Sequence, residues 1–129
     1  MDSIPGAGAR EENAPAARPV TLTILLLIVF AVNALGLMRG IAAHDRLVQE
    51  IPGFTPPIFG TWTAGEAAAV IGAVGLWLRF RFGLWLLALA WALTVFVDMR
   101  LGATGHAVIV TGVFGLALVF VRPWRPALR

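Results

Sequence analysis

The sequence FGTWTAGEAAAVIGAVGLWL (residues 59–78), RFR (79–81) and FGLWLLALAWALTVFVDM (82–99) decides the fold. It consists of two apolar segments, 20 and 18 residues long, that are separated by only three residues. A helix rises about 1.5 Å per residue, so each segment is long enough to cross a hydrocarbon layer of roughly 30 Å. The short connection predicts a tight turn at 79–81, and the two segments are therefore expected to form a helical hairpin inside a membrane.

The composition of the whole chain favours the same class of protein. Of the 129 residues 59% are apolar and 13% are charged, whereas soluble domains average roughly 45–50% and 25%. All ten basic residues are arginine, the net charge is +3, and cysteine is absent. Without cysteine there can be no disulfide, thiolate metal site or thiol nucleophile. The arginines stand singly or in pairs at segment ends, so we expect no nucleic-acid partner.

Two further apolar blocks flank the hairpin. We predict spans at about 20–38, 59–78, 82–99 and 103–121, within a transmembrane domain of residues 19–122. Lipid offers no partners to backbone polar groups, and the blocks lack the alternation of strands, so the spans should be helices. The predicted fold is an all-α integral membrane protein with four transmembrane helices in an up-down antiparallel bundle. Residues 1–18 are predicted to be a disordered cytoplasmic tail, and residues 123–129 a basic cytoplasmic tail with an interfacial Trp124.

The first span could alternatively be the core of a signal peptide, because Gly40-Ile41-Ala42 resembles a cleavage site. A secretory core is usually about 7–15 residues long. The first span has 19 uncharged residues, and three more spans follow it. We therefore expect an uncleaved anchor.

The distribution of arginine predicts the orientation. Seven arginines lie at the ends that would share a side with the two termini, and three lie on the opposite side. The positive-inside rule then places both termini on the cytoplasmic side, and we expect the membrane to be a bacterial inner membrane. In lipid, helices associate through small residues and polar contacts, and each span offers a candidate face: Gly36 and Gly40 with Asn33; Gly65, Ala69 and Ala73; Ala88 and Ala92 with Thr94; Ala107, Thr111 and Gly115. The mid-span Trp91 is expected to pack between helices.

The polar residues of the spans gather in the predicted outer half. Glu66 lies roughly 10 Å below the outer edge, where an unpaired carboxylate is costly. The candidate polar or ion site comprises Glu66, His106, Asp98, Arg39, Arg100 and Asn33. Two plainer interpretations stay open. In one, Glu66 is a structural group that forms a buried pair with an arginine or is hydrogen-bonded to Asn33 or His106; in the other, Asp98 and Arg100 are ordinary interfacial charges.

The functional predictions are correspondingly broad. No hydrolase elbow, Gly-rich phosphate loop or zinc signature is present, so we expect no catalytic residue and no cofactor. The leading hypothesis is a non-catalytic structural or accessory membrane subunit, in contact with lipids and part of a homo-oligomer or a larger membrane complex. The alternative is a small transporter or channel subunit that uses Glu66 as a proton or cation site. The third is a metal or haem site at the outer face with His44 and His106.

Overall fold

Five α-helices and one 3₁₀ helix make up residues 17–129, the part of the chain that this computed structural model describes. In chain order they are α1 (Val20–Ala42), α2 (His44–Glu50), α3 (Pro56–Trp77), α4 (Phe82–Leu101), α5 (Thr104–Val121) and the 3₁₀ helix (Arg122–Ala127). No strand occurs within these residues. Except for residues 17 and 18, the predicted N-terminal tail lies outside the described residues.

Four of the helices are long and apolar enough to cross a membrane: α1, α3, α4, and α5 continued by the 3₁₀ helix. The prediction of four helical spans is confirmed, with ends that differ by a few residues. The first span continues to Ala42, and the second begins at Pro56. Pro56 and Pro57 are tolerated there because the first turn of a helix has no internal partner for their missing N–H groups.

A cluster of buried side chains joins one end of each long helix. It combines the start of α1, the end of α3, the first part of α4 and the end of α5 with residues that follow α5. Its members are Leu22, Leu26, Ala73, Leu76, Leu87, Val121, Trp124 and Leu128. We call this cluster the terminal core, and the corresponding end of the domain the terminal end.

The segment after α5 is packed against the terminal core. The side chain of Trp124, for which an interfacial position is predicted, is only 1% exposed and belongs to the terminal core. The backbone of Arg129 pairs with the turn between α3 and α4: its N–H donates to Arg79 O (2.7 Å), and its carbonyl accepts from Arg81 N (2.9 Å). The predicted basic tail therefore covers the turn of the hairpin.

The closest approach of two helices is between α3 and α4. A Cβ atom built on Gly83 would lie 2.5 Å from the backbone nitrogen of Leu76 and 2.7 Å from the carbonyl oxygen of Gly72. Only a residue without a side chain leaves room for such backbone contact, which is the association mode expected between helices in lipid. The hairpin predicted from residues 59–99 thus has glycine at its point of closest packing.

The predicted small-residue faces are confirmed on two helices. Gly65, Ala69 and Ala73 of α3 are buried, and a Cβ on Gly40 of α1 would overlap the ring of Trp62. On α4 and α5 the faces are confirmed only in part, since Thr94 lies beside Gly65 of α3 and Thr111 accepts a hydrogen bond from Trp91. Ala92 is exposed, and α4 instead buries Gly83, Leu87 and Ala90. On α5 Ala107 is buried, but Thr111 is exposed, and a Cβ atom built on Gly115 would meet no atom within 4 Å.

Candidate functional site

A cavity of about 270 Å³ lies among the four long helices. Aliphatic side chains form most of its wall, and each long helix contributes to it. Polar groups reach it from five residues: Asn33 on α1, Glu66 on α3, Trp91 and Thr94 on α4, and His106 on α5. We call it the carboxyl cavity. Its size is close to the lower limit for small-ligand pockets, about 300 Å³.

Glu66 is the central polar group of this cavity. Its carboxyl group packs against Gly36 of α1, where an added Cβ would lie 3.0 Å from Oε2 and 3.2 Å from Oε1. Oε2 is buried and, within residues 17–129, has no hydrogen-bond partner. An unsatisfied buried polar group costs about 1–3 kcal/mol, and more when it is charged. Glu66 Oε2 is therefore an unsatisfied acceptor in the wall of the carboxyl cavity.

Asp98 and His106 form a hydrogen-bonded pair beside the cavity. His106 Nδ1 lies 2.6 Å from Asp98 Oδ2. The aspartate side chain is 10% exposed and the imidazole 60%. The pair forms because Gly102 follows the end of α4, and its left-handed conformation (φ 75°) reverses the chain into α5 within three residues. The Nδ1 edge of the imidazole is thus held by Asp98, while more than half of the side chain remains exposed.

The structure brings together four of the six predicted site residues. Asn33, Glu66 and His106 line the carboxyl cavity, and Asp98 is bonded to His106. The plainer interpretation in which Glu66 is bonded to Asn33 is not supported, since the Asn33 amide donates to the carbonyl of Val29 at 2.7 Å.

The two arginines of the predicted site lie apart from Glu66. Arg39 and Arg100 are both exposed. The Arg100 guanidinium lies over the ring of Phe96, 5.5 Å from its centroid. Within residues 17–129, no ion pair joins either arginine to Glu66.

The two histidines occupy separate sites. His44 packs edge-on against Phe59 with the ring centroids 4.4 Å apart, and its Nδ1 lies 3.0 Å from Asp45 Oδ1. It does not line the carboxyl cavity. Among the described residues, no three His, Asp or Glu side chains are grouped so that they could hold a metal ion. The residues proposed for a metal or haem site are thus divided between two regions.

Aromatic side chains form part of the wall of the carboxyl cavity, which was not predicted from the sequence. Trp91 stacks on Phe114 with the centroids 5.5 Å apart and an interplanar angle of 11°. Its Nε1 donates to Thr111 Oγ1 at 3.0 Å. The prediction that Trp91 packs between helices is confirmed. That mid-span position was the available signal, but nothing in the sequence paired it with Phe114.

The cavity opens sideways between α1 and α5. Three of its lining side chains are at least half exposed: Ile28 (50%) and Val32 (62%) on α1, and Ile109 (65%) on α5. Among the contacts that join α1 to α3, α3 to α4, α4 to α5 and α1 to α5, the last is the least extensive. Leu87 belongs both to the cavity wall and to the terminal core. The terminal core therefore closes one end of the cavity, while the α1–α5 seam leaves its side open.

Comparison with known proteins adds no functional information. No protein-family model, curated protein or solved structure matches the chain. The chemistry of the carboxyl cavity and its lateral opening therefore carries the functional proposal.

Proposed function

We propose that the protein is a non-catalytic accessory subunit of a larger complex in a bacterial inner membrane. A transmembrane helix of the partner would occupy the α1–α5 seam and donate a hydrogen bond to Glu66. The observation that carries this proposal is the buried Glu66 carboxyl group, which faces a laterally open cavity without a partner among residues 17–129. Asp98 and His106 would contribute a second polar contact at the same opening.

The proposed orientation is an up-down antiparallel bundle with both termini in the cytoplasm. It is supported by the terminal core, which contains the start of α1, the end of α3, the start of α4 and the end of α5. Arg18, Arg79, Arg81, Arg122, Arg125 and Arg129 lie close to these helix ends in the chain. An excess of arginine beside the spans is typical of the cytoplasmic side.

The surface beside the seam suits a helix better than a water-soluble ligand. Gly105, Ile109 and Gly112 share one face of α5 because they are four and three residues apart. A Cβ built on either glycine would meet no atom within 4 Å. Small residues allow close approach of helix backbones in lipid, and one interhelical hydrogen bond adds roughly 1–2 kcal/mol. This open face and the Glu66 carboxyl group together support a helical partner.

Site-specific photo-crosslinking tests the proposal in native membranes. A photoreactive residue at Ile109 should crosslink to a membrane protein other than this chain. The same residue at Leu89, an exposed position on α4, should give no specific product. Glu66→Gln should reduce the Ile109 product, whereas Glu50→Gln, the same chemical change at an exposed site, should not. Products that contain only this chain would contradict an accessory role and indicate self-association.

A small transporter is the second candidate, favoured by the combination of a carboxyl group with an accessible volume of about 270 Å³. Glu66 would bind a proton or a cation from the open side. Because the terminal core closes one end, transport would require a second conformation. Proton and cation flux into liposomes that contain the purified protein tests this role. Flux that is lost in Glu66→Gln and kept in Glu50→Gln would support it, and an equal rate in empty liposomes would exclude it.

A further inference from the structure

Two arginine side chains share one tryptophan at the terminal end. The Arg18 guanidinium lies 4.0 Å from the centroid of the Trp77 ring and 5.5 Å from that of Trp124. The Arg79 guanidinium approaches the same Trp124 ring at 5.7 Å. Arg18 Nη2 also donates to the carbonyl of Trp77 at 2.9 Å. The two cations are thus held near each other on an aromatic surface.

The described chain does not neutralise these two cations. Arg18 Nε is buried and has no hydrogen-bond partner within residues 17–129. Burial, and then the neighbouring charge of Arg79, lower the pKa of Arg18. The acids of this part of the chain lie elsewhere, since Asp45, Glu50 and Asp98 contact His44, Arg46 and His106 and Glu66 lines the carboxyl cavity. An anion between the guanidinium groups would relieve both the repulsion and the unsatisfied N–H.

Arg79 has a backbone conformation that does not favour arginine. Its φ of 67° lies in the left-handed region, and it is the only non-glycine residue between positions 17 and 129 with positive φ. Glycine adopts this conformation without strain, whereas a residue with a Cβ atom does so rarely. Strain of this kind points to a use for the side chain that bears it.

We propose that Arg18 and Arg79 bind the phosphodiester group of an anionic phospholipid at the terminal end. Arg18 lies two residues before α1, and Arg79 lies two residues after α3, so both are at the level where a span meets the lipid headgroups. Guanidinium groups present paired N–H donors that match phosphate oxygens. Trp77, which is 39% exposed, would pack beside the glycerol and upper acyl region, as tryptophan does at membrane interfaces.

Lipid-dependent stability of the purified full-length chain tests this site. The protein is placed in phosphatidylcholine nanodiscs, and its melting temperature is followed as phosphatidylglycerol replaces part of the lipid. Phosphatidylglycerol should raise the melting temperature, while inorganic phosphate added to pure phosphatidylcholine nanodiscs should not. In Arg18→Gln and Arg79→Gly the apparent affinity for phosphatidylglycerol should fall about tenfold, the loss typical of one charge-assisted hydrogen bond.

Arg79→Gly and Arg122→Gln make the test specific. Glycine suits the left-handed conformation, so Arg79→Gly should melt at or above the wild-type temperature in phosphatidylcholine while it loses the response to phosphatidylglycerol. Arg122→Gln removes an equal charge from an exposed neighbouring position and should keep the response. The proposal is overturned if Arg122→Gln loses as much as Arg79→Gly. It is also overturned if the wild type does not respond to phosphatidylglycerol, or responds equally to inorganic phosphate.

Discussion

Replacing Gly83 with alanine should force α3 and α4 apart. The new Cβ would lie 2.5 Å from Leu76 N and 2.7 Å from Gly72 O, whereas ordinary van der Waals contact begins at 3.4 Å. Both atoms belong to the backbone of α3, so rotation of a side chain cannot relieve the overlap. A separation of roughly 1 Å follows, and a gap of that size removes up to about half of the dispersion energy of each affected contact.

The net effect on stability combines two opposing contributions. Overpacking in a close-packed interface typically costs about 1–3 kcal/mol. Alanine in place of glycine stabilises a helix by up to about 1 kcal/mol. The difference spans roughly 0–3 kcal/mol, and we expect Gly83→Ala to lower the free energy of unfolding by about 1–2 kcal/mol, the middle of that range. Unfolding of the purified protein in mixed micelles by sodium dodecyl sulfate, followed by circular dichroism, measures this quantity.

Gly112→Ala is the matched control for Gly83→Ala. The same change of residue occurs within a helix, but the new Cβ would meet no atom within 4 Å. The variant should unfold at the wild-type detergent fraction or slightly above it. Equal midpoints for the two variants would refute the close backbone contact between α3 and α4.

Three further predictions concern side chains, and the same unfolding titration measures them. Trp124→Ala should lower the free energy of unfolding by about 3–5 kcal/mol, because the indole is 1% exposed; Trp85→Ala, at a side chain that is 76% exposed, should change it by less than about 0.5 kcal/mol. Asp98→Ala should destabilise the protein by about 1 kcal/mol, and a double-mutant cycle with His106→Ala that shows no coupling energy would contradict the hydrogen bond. Glu66→Gln should change stability by less than about 0.5 kcal/mol, because no hydrogen bond within the described chain is lost; a large loss would reveal a structural role.

The spans were predictable because apolar length alone selects them. The predicted blocks 20–38, 59–78, 82–99 and 103–121 correspond to α1 (Val20–Ala42), α3 (Pro56–Trp77), α4 (Phe82–Leu101) and α5 (Thr104–Val121). A membrane requires a continuous apolar stretch of this length for each crossing. The ends were less certain because a helix can continue past the hydrocarbon layer, as α1 does beyond Met38.

The side of α4 that faces the other helices was not predictable from the sequence. A helix that is apolar on all sides gives no signal for the side that faces its neighbours. The prediction therefore selected Ala88 and Ala92, whereas the buried face contains Gly83, Leu87 and Ala90. Only the contact with Gly72 and Leu76 on α3 distinguishes these faces, and such a contact is a property of the tertiary structure.

The candidate site was partly predictable from the depth of its residues along the predicted spans. Asn33, Glu66 and His106 could be placed near one another because their positions along the spans fall at similar levels. Arg39 was placed in the same outer half but is exposed, since depth carries no information about direction around a helix. The burial of Trp124 in the terminal core was not predicted, because its flanking arginines and prolines are also typical of an exposed interfacial segment.

The small contact between α1 and α5 has a mechanical consequence. Separation of α1 from α5 would break less packing than separation at the α1–α3, α3–α4 or α4–α5 contact. Such a movement would widen the opening toward Glu66 and would leave the contact between α3 and α4 in place.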